Sequence, residues 1–346
     1  MINFRRVPFA PSRAKFLYMV LTLALLCVCA PVSSAQDDPE DIIKVESNLV
    51  QLNVGVVDRQ GHAITNLSRN DFVVYEDGAR QPIVNFESTQ APFSLVLLLD
   101  MSGSTLNFRS PLKQAAMRFI DALADDDRIS VVAFNDKVET LTHFTSDRKK
   151  IAFAIDRAEG KGSTGLFKAL SYSLELLDKE PKRRKAIVVL SDGLDTEMRN
   201  LDRSAAAKAR TNEEALAAVK PEASAALNSV LNAADRQGVT IYPLALPSGD
   251  PKRLPELDPR IMAIYSSART RLQQLADRTG GRLNEIRRLE DLGRLYAEVA
   301  ADLRTLYSIA YQPTGTRGRD GSWRTIRIDV SHPEMIARTR PGYYAR

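Results

Sequence analysis

Cysteine is almost missing from this 346-residue chain, and the two cysteines present, Cys27 and Cys29, lie close to its N-terminus. A chain that loses this segment can form no disulfide and no thiolate metal site. The three histidines, His62, His143 and His332, are far apart and lack the short spacing of a zinc site. The sequence is therefore not that of a disulfide-stabilised scaffold or a zinc-binding module.

A hydrophobic run long enough to span a membrane is also missing. The apolar stretch at residues 16–30 covers about 15 residues, against the roughly 20 that a spanning helix needs. The small residues Ser33 and Ala35 follow this stretch, and four basic residues precede it: Arg5, Arg6, Arg13 and Lys15. This order predicts a signal peptide at residues 1–35, with an uncleaved membrane anchor as the alternative. We expect an exported protein of the periplasm, the cell envelope or the medium, in contact with a membrane only if the leader stays attached.

Outside this leader the chain has no marked excess of one sign of charge. The whole sequence is formally +5, with 48 Lys and Arg against 43 Asp and Glu, but four of the basic residues lie within residues 1–35. The remaining basic residues are scattered, which gives no indication of nucleic-acid binding. Hydrophobic residues make up 44% and charged residues 26%, ordinary values for a globular protein that can bury a core.

Short stretches with strand character lie towards both ends of the remaining chain, within residues 36–90 and residues 306–346. Apolar alternation and β-rich composition mark the extended pieces, which are residues 45–58, 72–75, 83–86, 307–312, 323–330 and 336–340. Each group alone is too small to bury a good core. We therefore predict that residues 45–88 and residues 306–346 pack together into a small flanking β-domain.

Residues 91–305 alternate between strands and helices, which is typical of an α/β domain with a doubly wound, mostly parallel, Rossmann-like sheet. Residues 94–99 and 185–190 are nearly continuous apolar runs, as expected for strands covered on both faces. Residues 138–144 are less apolar and are predicted to form an edge strand. Helices are predicted at residues 112–123, 149–158, 165–177, 222–236, 269–277 and 289–303. Residues 197–220 are an Ala-rich, charged insert, predicted to form either an extra helix capped by Asn212 or a loop over one end of the sheet.

Oxygen-bearing side chains follow both apolar strands. The first strand runs into Asp100, with Ser102 and Ser104 at two-residue spacing, and the second runs into Asp192. Between them, Thr164 lies in a Gly-rich loop that opens a helix. Because ligands of open α/β sheets bind at the carboxyl ends of the strands, we expect these side chains at one edge of the sheet. Each residue alone is a common turn or cap residue, but the five together indicate a site.

The five positions resemble the metal-ion-dependent adhesion site of the von Willebrand factor type A family. The motif elements are Asp-x-Ser-x-Ser, a Thr in the loop before a helix, and an Asp in a Ser-Asp-Gly turn, all in the order that the family has. This resemblance covers residues 94–303 and implies the family's α/β fold. Residues 70–78 and 340–344 are in addition similar to segments of exported bacterial proteins called von Willebrand A-related.

The resemblance implies one divalent metal ion, Mg²⁺, with Mn²⁺ or Ca²⁺ as alternatives. Ser102, Ser104 and Thr164 would supply hydroxyl ligands, whereas Asp100 and Asp192 would act largely through waters or hydrogen bonds. Hydroxyl and carboxylate oxygens are ligands that suit Mg²⁺. A carboxylate from a partner protein would complete the metal shell, so the resemblance implies metal-dependent protein binding or adhesion.

Two other functions stay open from the sequence. One is a metal-assisted hydrolase, for which Asp195 and Glu197 are the nearest candidate bases, although solvated loop charges explain both equally well. The other is a structural module whose site holds no metal and whose insert at residues 197–220 makes the contacts. No nucleophile is paired with a base, so we expect a binding protein and not an enzyme. The acidic run at residues 125–127 is interpreted as a solvated turn.

Overall fold

The structure, a computed structural model, describes residues 49–181, 184–250, 252, 258–314 and 320–345. These residues belong to one unit, Ser47–Arg346. The predicted signal peptide at residues 1–35 lies outside the described residues, and with it the alternative of a membrane anchor. Among the helices that the structure describes, none is both long enough and apolar enough to cross a membrane.

Strands and helices alternate through the middle of the chain, whereas strands predominate near both ends. The strands of the described residues are β1 (Val50–Val57), β2 (Phe72–Glu76), β3 (Ala79–Gln81), β4 (Ile83–Glu87), β5 (Phe93–Asp100), β6 (Arg128–Phe134), β7 (Val138–Thr145), β8 (Arg184–Ser191), β9 (Val239–Ala245), β10 (Asn284–Glu285), β11 (Leu306–Tyr311), β12 (Trp323–Val330), β13 (Ile336–Arg338) and β14 (Gly342–Tyr344). The α-helices are α1 (Arg109–Ala122), α2 (Arg148–Arg157), α3 (Leu166–Asp178), α4 (Thr196–Ala205), α5 (Asn212–Val219), α6 (Ala225–Gln237), α7 (Pro259–Thr279) and α8 (Leu292–Arg304).

The central sheet has the strand order β10-β9-β8-β5-β6-β7. Its strands pair in parallel from β10 to β6, and β7 closes one edge by pairing antiparallel with β6. Every residue of β5 is buried, as expected for a strand with helices on both faces. The predicted mostly parallel α/β sheet is confirmed, and the less apolar β7 lies at the edge where its partly exposed side chains are tolerated.

Helices cover the two faces of this sheet in separate apolar layers. Alternate residues of β5 point to opposite faces. Leu97 packs on one side in a cluster with side chains of α1, α2 and α8, and Leu98 packs on the other with side chains of α3, α6 and α7. The central strands are therefore sealed from water, and on β5 the polar side chains, Ser94 and Asp100, lie at or next to the strand ends.

Strands from the two ends of the described chain pair with one another. One antiparallel sheet has the order β13-β1-β11-β4 and another the order β14-β12-β2-β3. An apolar cluster includes side chains of both sheets, among them Leu52, Phe72, Tyr307 and Ile328. Phe72 and Tyr307 are in ring contact at 5.1 Å between centroids. This pairing explains why both β segments, which are far apart in sequence, have alternating apolar residues.

Buried charges join these antiparallel strands to the helices. Asp235 of α6 accepts a hydrogen bond from Arg340, with 3.0 Å between Oδ1 and Nη1, and from Arg278 of α7, with 2.7 Å between Oδ2 and Nη2. The Arg278 guanidinium also lies over the rings of Trp323 and Tyr344. One carboxylate thus connects α6, α7 and the last strands of the chain.

The insert at residues 197–220 forms two helices, α4 and α5, joined by a short 3₁₀ turn. The cap of α5 is Thr211, whose side chain accepts a hydrogen bond from the Glu214 N–H, so the prediction of Asn212 as the cap was wrong by one residue. A buried ion pair between Asp202 and Arg271 holds α4 on α7, with 2.6 Å between Oδ1 and Nη2.

Other departures from the sequence predictions arise at turns and helix caps. The helix predicted at residues 269–277 begins ten residues earlier because Asp258 accepts a hydrogen bond from Arg260 N–H and Pro259 fits the first helical position. The run at residues 125–127 is not simply a solvated turn, since Asp127 is 4% exposed. Its carboxylate accepts hydrogen bonds from the backbone N–H groups of Phe93 and Ala124.

Candidate metal centre

The neighbouring strands β5 and β8 bring the acidic residues of the candidate site to one edge of the sheet. Asp100 is the last residue of β5, and Asp192 directly follows Ser191 at the end of β8. From β5 the chain proceeds to β6 and β7 on one side, and then returns to β8 on the other. The two carboxylates therefore lie where the strand order reverses, which is the usual ligand position in open α/β sheets.

Asp100 is completely buried and held by hydrogen bonds from both loops. Ser191 Oγ donates to its Oδ2 at 2.7 Å, and the Ser102 N–H donates to its Oδ1 at 3.0 Å. Thr105 Oγ1 donates to the carbonyl oxygens of Asp100 and Ser102, at 2.9 and 3.0 Å. These bonds fix the loop after β5, so that Ser102 Oγ lies 3.1 Å from Ser104 Oγ.

The Gly-rich loop packs directly against this Asp-x-Ser-x-Ser loop. Gly103 N–H donates to Gly162 O at 3.0 Å, and Arg109 Nη2 donates to the carbonyl oxygens of Met101 and Gly160 at 2.9 and 2.6 Å. A Cβ atom at Gly160 would lie 2.6 Å from Met101 O, closer than real atoms approach. The glycine is therefore required for the two loops to meet.

Thr164 is held by the start of α4, and Asp192 by the turn that precedes this helix. Thr164 N–H donates to Thr196 Oγ1 at 3.0 Å, and Thr196 N–H donates back to Thr164 O at 2.9 Å. Asp192 is fully buried, and its Oδ1 accepts a hydrogen bond from Leu194 N–H at 3.0 Å. Its Oδ2 is also buried and has no hydrogen-bond partner among the described residues. An ionised oxygen in that position needs a partner, because burying an unpaired charge is costly.

Burial changes the proton affinity of both carboxyl groups. It raises the pKa of Asp100 to about 7, and the nearby charge of Asp192 acts in the same direction. Burial also raises the pKa of Asp192, although the nearby Ser104 hydroxyl, the Leu194 N–H and the positive charge of Arg269 oppose this change. Two carboxylates that are difficult to ionise together create an environment that a cation would stabilise.

These residues fit a hard divalent cation better than a soft metal. Among the described residues, no group of three or more His, Cys, Asp or Glu side chains could hold a metal ion. The candidate site has only two carboxylates, and its other oxygens are the hydroxyls of Ser102, Ser104 and Thr164. Hydroxyl and carboxylate oxygens together suit Mg²⁺, which keeps several waters. The unpartnered Asp192 Oδ2 lies at this same edge.

The structure places the five predicted residues on adjoining loops at one sheet edge. Asp100, Ser102, Ser104 and Asp192 are linked by direct hydrogen bonds or charge interactions. Thr164 is on the next loop, joined to them through the contact between Gly103 and Gly162. Their role as metal ligands stays a prediction.

Sequence reasoning missed most of the contacts that support this site. Arg109 and Arg269 act on it from other segments, and no local motif marks them. Ser191 was visible as part of the Ser-Asp-Gly turn, but its hydrogen bond to Asp100 was not predicted. Asp195 was interpreted either as a candidate base or as a solvated loop charge. It is in fact 6% exposed, and its carboxylate accepts hydrogen bonds from the N–H groups of Glu197, Met198 and Phe167 at the starts of α4 and α3.

Comparison with known proteins identifies the segment that contains most of these residues. Residues 95–194 match the sequence profile of the family described as von Willebrand factor type A domain. The match includes most of β5, the Gly-rich loop, β8 and all five candidate ligands.

Curated relatives match about a third of this chain. The alpha-2/delta-2 subunit of a voltage-dependent calcium channel from Homo sapiens is 27% identical over 119 residues, a match that covers 31% of this chain and 10% of that subunit. An uncharacterized protein from Synechocystis sp. is 35% identical over 108 residues, covering 30% of this chain and 25% of that protein. The chain thus spans about a tenth and about a quarter of the lengths of these relatives.

Solved structures with similar folds include a von Willebrand factor type A protein from Catenulispora acidiphila. It has 16% sequence identity and a TM-score of 0.47, with 87% of this chain and 64% of that chain covered. The von Willebrand factor domain of the type V pili tip protein Mfa5 from Porphyromonas gingivalis has 14% identity and a TM-score of 0.44, with 61% of this chain and 94% of that chain covered. The family match places residues 95–194 of this chain within the von Willebrand factor type A domain family.

Proposed function

We propose that this protein binds another protein through one divalent metal ion. The proposed ion is Mg²⁺, with Mn²⁺ or Ca²⁺ as alternatives. The observation that carries the proposal is the buried Asp192 Oδ2, which has no hydrogen-bond partner among the described residues. It lies on the same sheet edge as Asp100 and the paired hydroxyls of Ser102 and Ser104. A cation at this point would satisfy the oxygen and offset the repulsion between the two carboxylates.

Each residue of the site has a separate role in this proposal. The hydroxyls of Ser102, Ser104 and Thr164 would coordinate the ion, and the loops that hold them are fixed by backbone contacts. Asp100 and Asp192 would neutralise part of its charge through waters or hydrogen bonds. When bound, the ion supplies an open coordination position that a carboxylate of the partner can take.

Protein binding outside the cytoplasm is the setting that we propose for this site. Von Willebrand factor type A domains commonly act as protein-interaction or adhesion modules, and residues 95–194 belong to such a domain. The proposed export rests on the charged, apolar and small-residue segments of residues 1–35. The partner would be a protein with an exposed Asp or Glu side chain, and nucleic acid is not proposed as a ligand.

We propose binding and not catalysis for the metal. A hydrolase would need a general base within reach of a metal-bound water. Asp195, the nearer of the two candidate bases, is occupied as the cap of α4 and contacts the start of α3. Glu197 is exposed at the first turn of α4. Neither residue has the environment of an activated base.

Thermal unfolding of the full chain in EDTA, Mg²⁺, Mn²⁺ and Ca²⁺ tests the metal site. A metal at 100 times its Kd should stabilise the protein by about 2.7 kcal/mol, which corresponds to a rise in Tm of a few degrees. The rise should be lost in Asp100→Ala and Asp192→Ala. Asp136→Asn is the matched control, because it removes an exposed carboxylate at the same sheet edge outside the set of five.

Two results would contradict the proposal at different levels. If no metal changes the Tm, or if Asp192→Ala responds to metal as strongly as the wild type, the site does not bind the ion. If metal binds but a protein partner is captured equally well in Mg²⁺ and in EDTA, the ion has no part in recognition, and a structural module becomes the better description.

A further inference from the structure

A partly buried arginine lies near the candidate metal centre but is not one of the five residues. Arg269 belongs to α7, and its side chain is only 12% exposed. Its Nη2 donates a hydrogen bond to Leu246 O at 3.2 Å, and Leu246 N–H donates to Ser191 O at 3.0 Å. Arg269 is thus connected through two hydrogen bonds to the residue that directly precedes Asp192.

A second contact fixes α7 against the turn that carries Asp192. Gly193 follows Asp192 with a φ of +83°, and a Cβ atom there would lie 2.8 Å from Leu272 Cδ1 and 3.3 Å from Ala268 O. The turn therefore packs directly on the part of α7 that includes Arg269. This packing fixes the backbone of the Asp192 turn relative to the α7 turn that carries Arg269.

The positive charge of Arg269 acts on Asp192 and on two further carboxylates. Burial lowers the pKa of the guanidinium, and the charges of Glu285, Asp250 and Asp192 oppose that change. Arg269 Nε lies 3.9 Å from Glu285 Oε1, which is an ion pair too long for a hydrogen bond. Nε and Nη1 are both buried and have no hydrogen-bond partner among the described residues. No single carboxylate in this part of the chain therefore neutralises the guanidinium through a close pair.

We propose that Arg269 is a built-in counter-charge for Asp192 that weakens metal binding at the adjacent site, and that Glu285 limits this effect. The proposal rests on the metal-dependent function given above. Without metal, the guanidinium stabilises the buried Asp192 carboxylate. With metal, it becomes a like charge next to a divalent cation in a partly desolvated region, where such repulsion is weakly screened.

This arrangement couples metal binding to partner binding. A fixed positive charge disfavours the metal in the free protein, but a carboxylate from the partner adds negative charge to the same place. The metal and the partner should therefore each increase the affinity for the other, as thermodynamic linkage requires. The structure thus assigns to Arg269 the control of how far the free protein is loaded with metal.

Titration calorimetry of the full chain with Mn²⁺ and with Mg²⁺ tests this assignment through a pair of opposite substitutions. Arg269→Gln should lower the metal Kd about tenfold, since it removes one nearby positive charge. Glu285→Gln should raise the Kd several-fold, because it leaves Arg269 less neutralised. Arg269→Lys keeps the charge and should stay close to the wild type. Arg287→Gln is the control for net charge, since it removes one exposed positive charge near the same strand end.

The outcomes separate this inference from the proposed function. If the wild type binds no metal, the proposed function and this inference both fail. If the wild type binds metal but Arg269→Gln binds it equally or more weakly, only this inference is overturned. A purely structural role of Arg269 would lower the Tm of Arg269→Gln equally in EDTA and in Mg²⁺, with an unchanged Kd. The exposed Glu285→Gln gives an independent test, and an unchanged Kd in that variant would also overturn the inference.

Discussion

Replacing Asp235 with alanine is expected to destabilise the protein by about 3–5 kcal/mol, the cost of leaving buried charges without their partner. The Asp235 side chain is 3% exposed and forms ion pairs with Arg278 and Arg340. Arg340 is itself 5% exposed, so its guanidinium cannot recover the lost interaction from water. Arg340 also donates to Asp235 O at 2.8 Å, a backbone contact that the substitution leaves in place.

The position of Asp235 explains why the loss should affect the whole fold. Its partners belong to α7 and to the segment before β14, so the carboxylate joins the central domain to the antiparallel strands. Urea unfolding measures the free energy of unfolding of the variant. Asp277→Ala on α7 is the control. The Asp277 carboxylate is exposed, and within the described residues it accepts a side-chain hydrogen bond only from Gln273. Its removal should change the free energy of unfolding by less than about 0.5 kcal/mol. If Asp235→Ala lowers the free energy of unfolding by less than about 1 kcal/mol, the ion pairs of Asp235 with Arg278 and Arg340 contribute little to stability.

In EDTA, the protein is expected to lose stability as the pH rises from about 5 to 8. The carboxyl group of Asp100 ionises near pH 3.8 in an unfolded chain, and burial raises its pKa to about 7 in the folded protein. Between these values the folded state binds more protons than the unfolded state, so the free energy of unfolding falls as the pH increases. The raised pKa of Asp192 acts in the same direction. Each pH unit within this window costs up to about 1.4 kcal/mol.

Urea unfolding at several pH values in EDTA, repeated with Asp100→Asn, isolates this contribution. Asparagine has nearly the shape of the protonated acid but cannot ionise, so the variant should lose much less stability between pH 5 and 8. Saturating Mg²⁺ should reduce the loss in the wild type, because the ion favours the carboxylate form. A free energy that increases with pH in EDTA, or an equal slope in Asp100→Asn, would contradict the assigned environment of Asp100.

The elements that carry the site were largely predictable because their signals are local. The apolar runs that became β5 and β8 are typical of strands covered on both faces, and their ends placed Asp100 and Asp192. The spacing of Ser102 and Ser104 from Asp100 is a property of one loop, so the motif was visible without any tertiary contact. The edge position of β7 followed in the same way from its lower apolar content.

Helix limits and single polar residues were less predictable. Helix α7 starts at Pro259 because Asp258 caps it. This start is ten residues before the segment at residues 269–277, where the sequence pattern indicated a helix. Asp127 and Asp195 both looked like loop charges, yet each is buried and accepts hydrogen bonds from backbone N–H groups, including one on a distant segment. A carboxylate in a loop has the same sequence pattern whether it faces water or holds a neighbouring segment.

The sequence by itself determined the α/β class of the central domain, the order of its strands along the chain and the five residues of the candidate metal centre. The fold class and strand order depend on periodicity, and the five residues depend on the Asp-x-Ser-x-Ser spacing together with the resemblance to the von Willebrand factor type A family. Only the tertiary structure decided that Arg269, 77 residues after Asp192 in the sequence, lies near that centre. It alone also decided that Asp235 and Arg340 join the two parts of the protein. The physical reason is that packing brings together charges from distant segments. The strength of such an interaction depends on how deeply the charges are buried, and the local sequence does not show that burial.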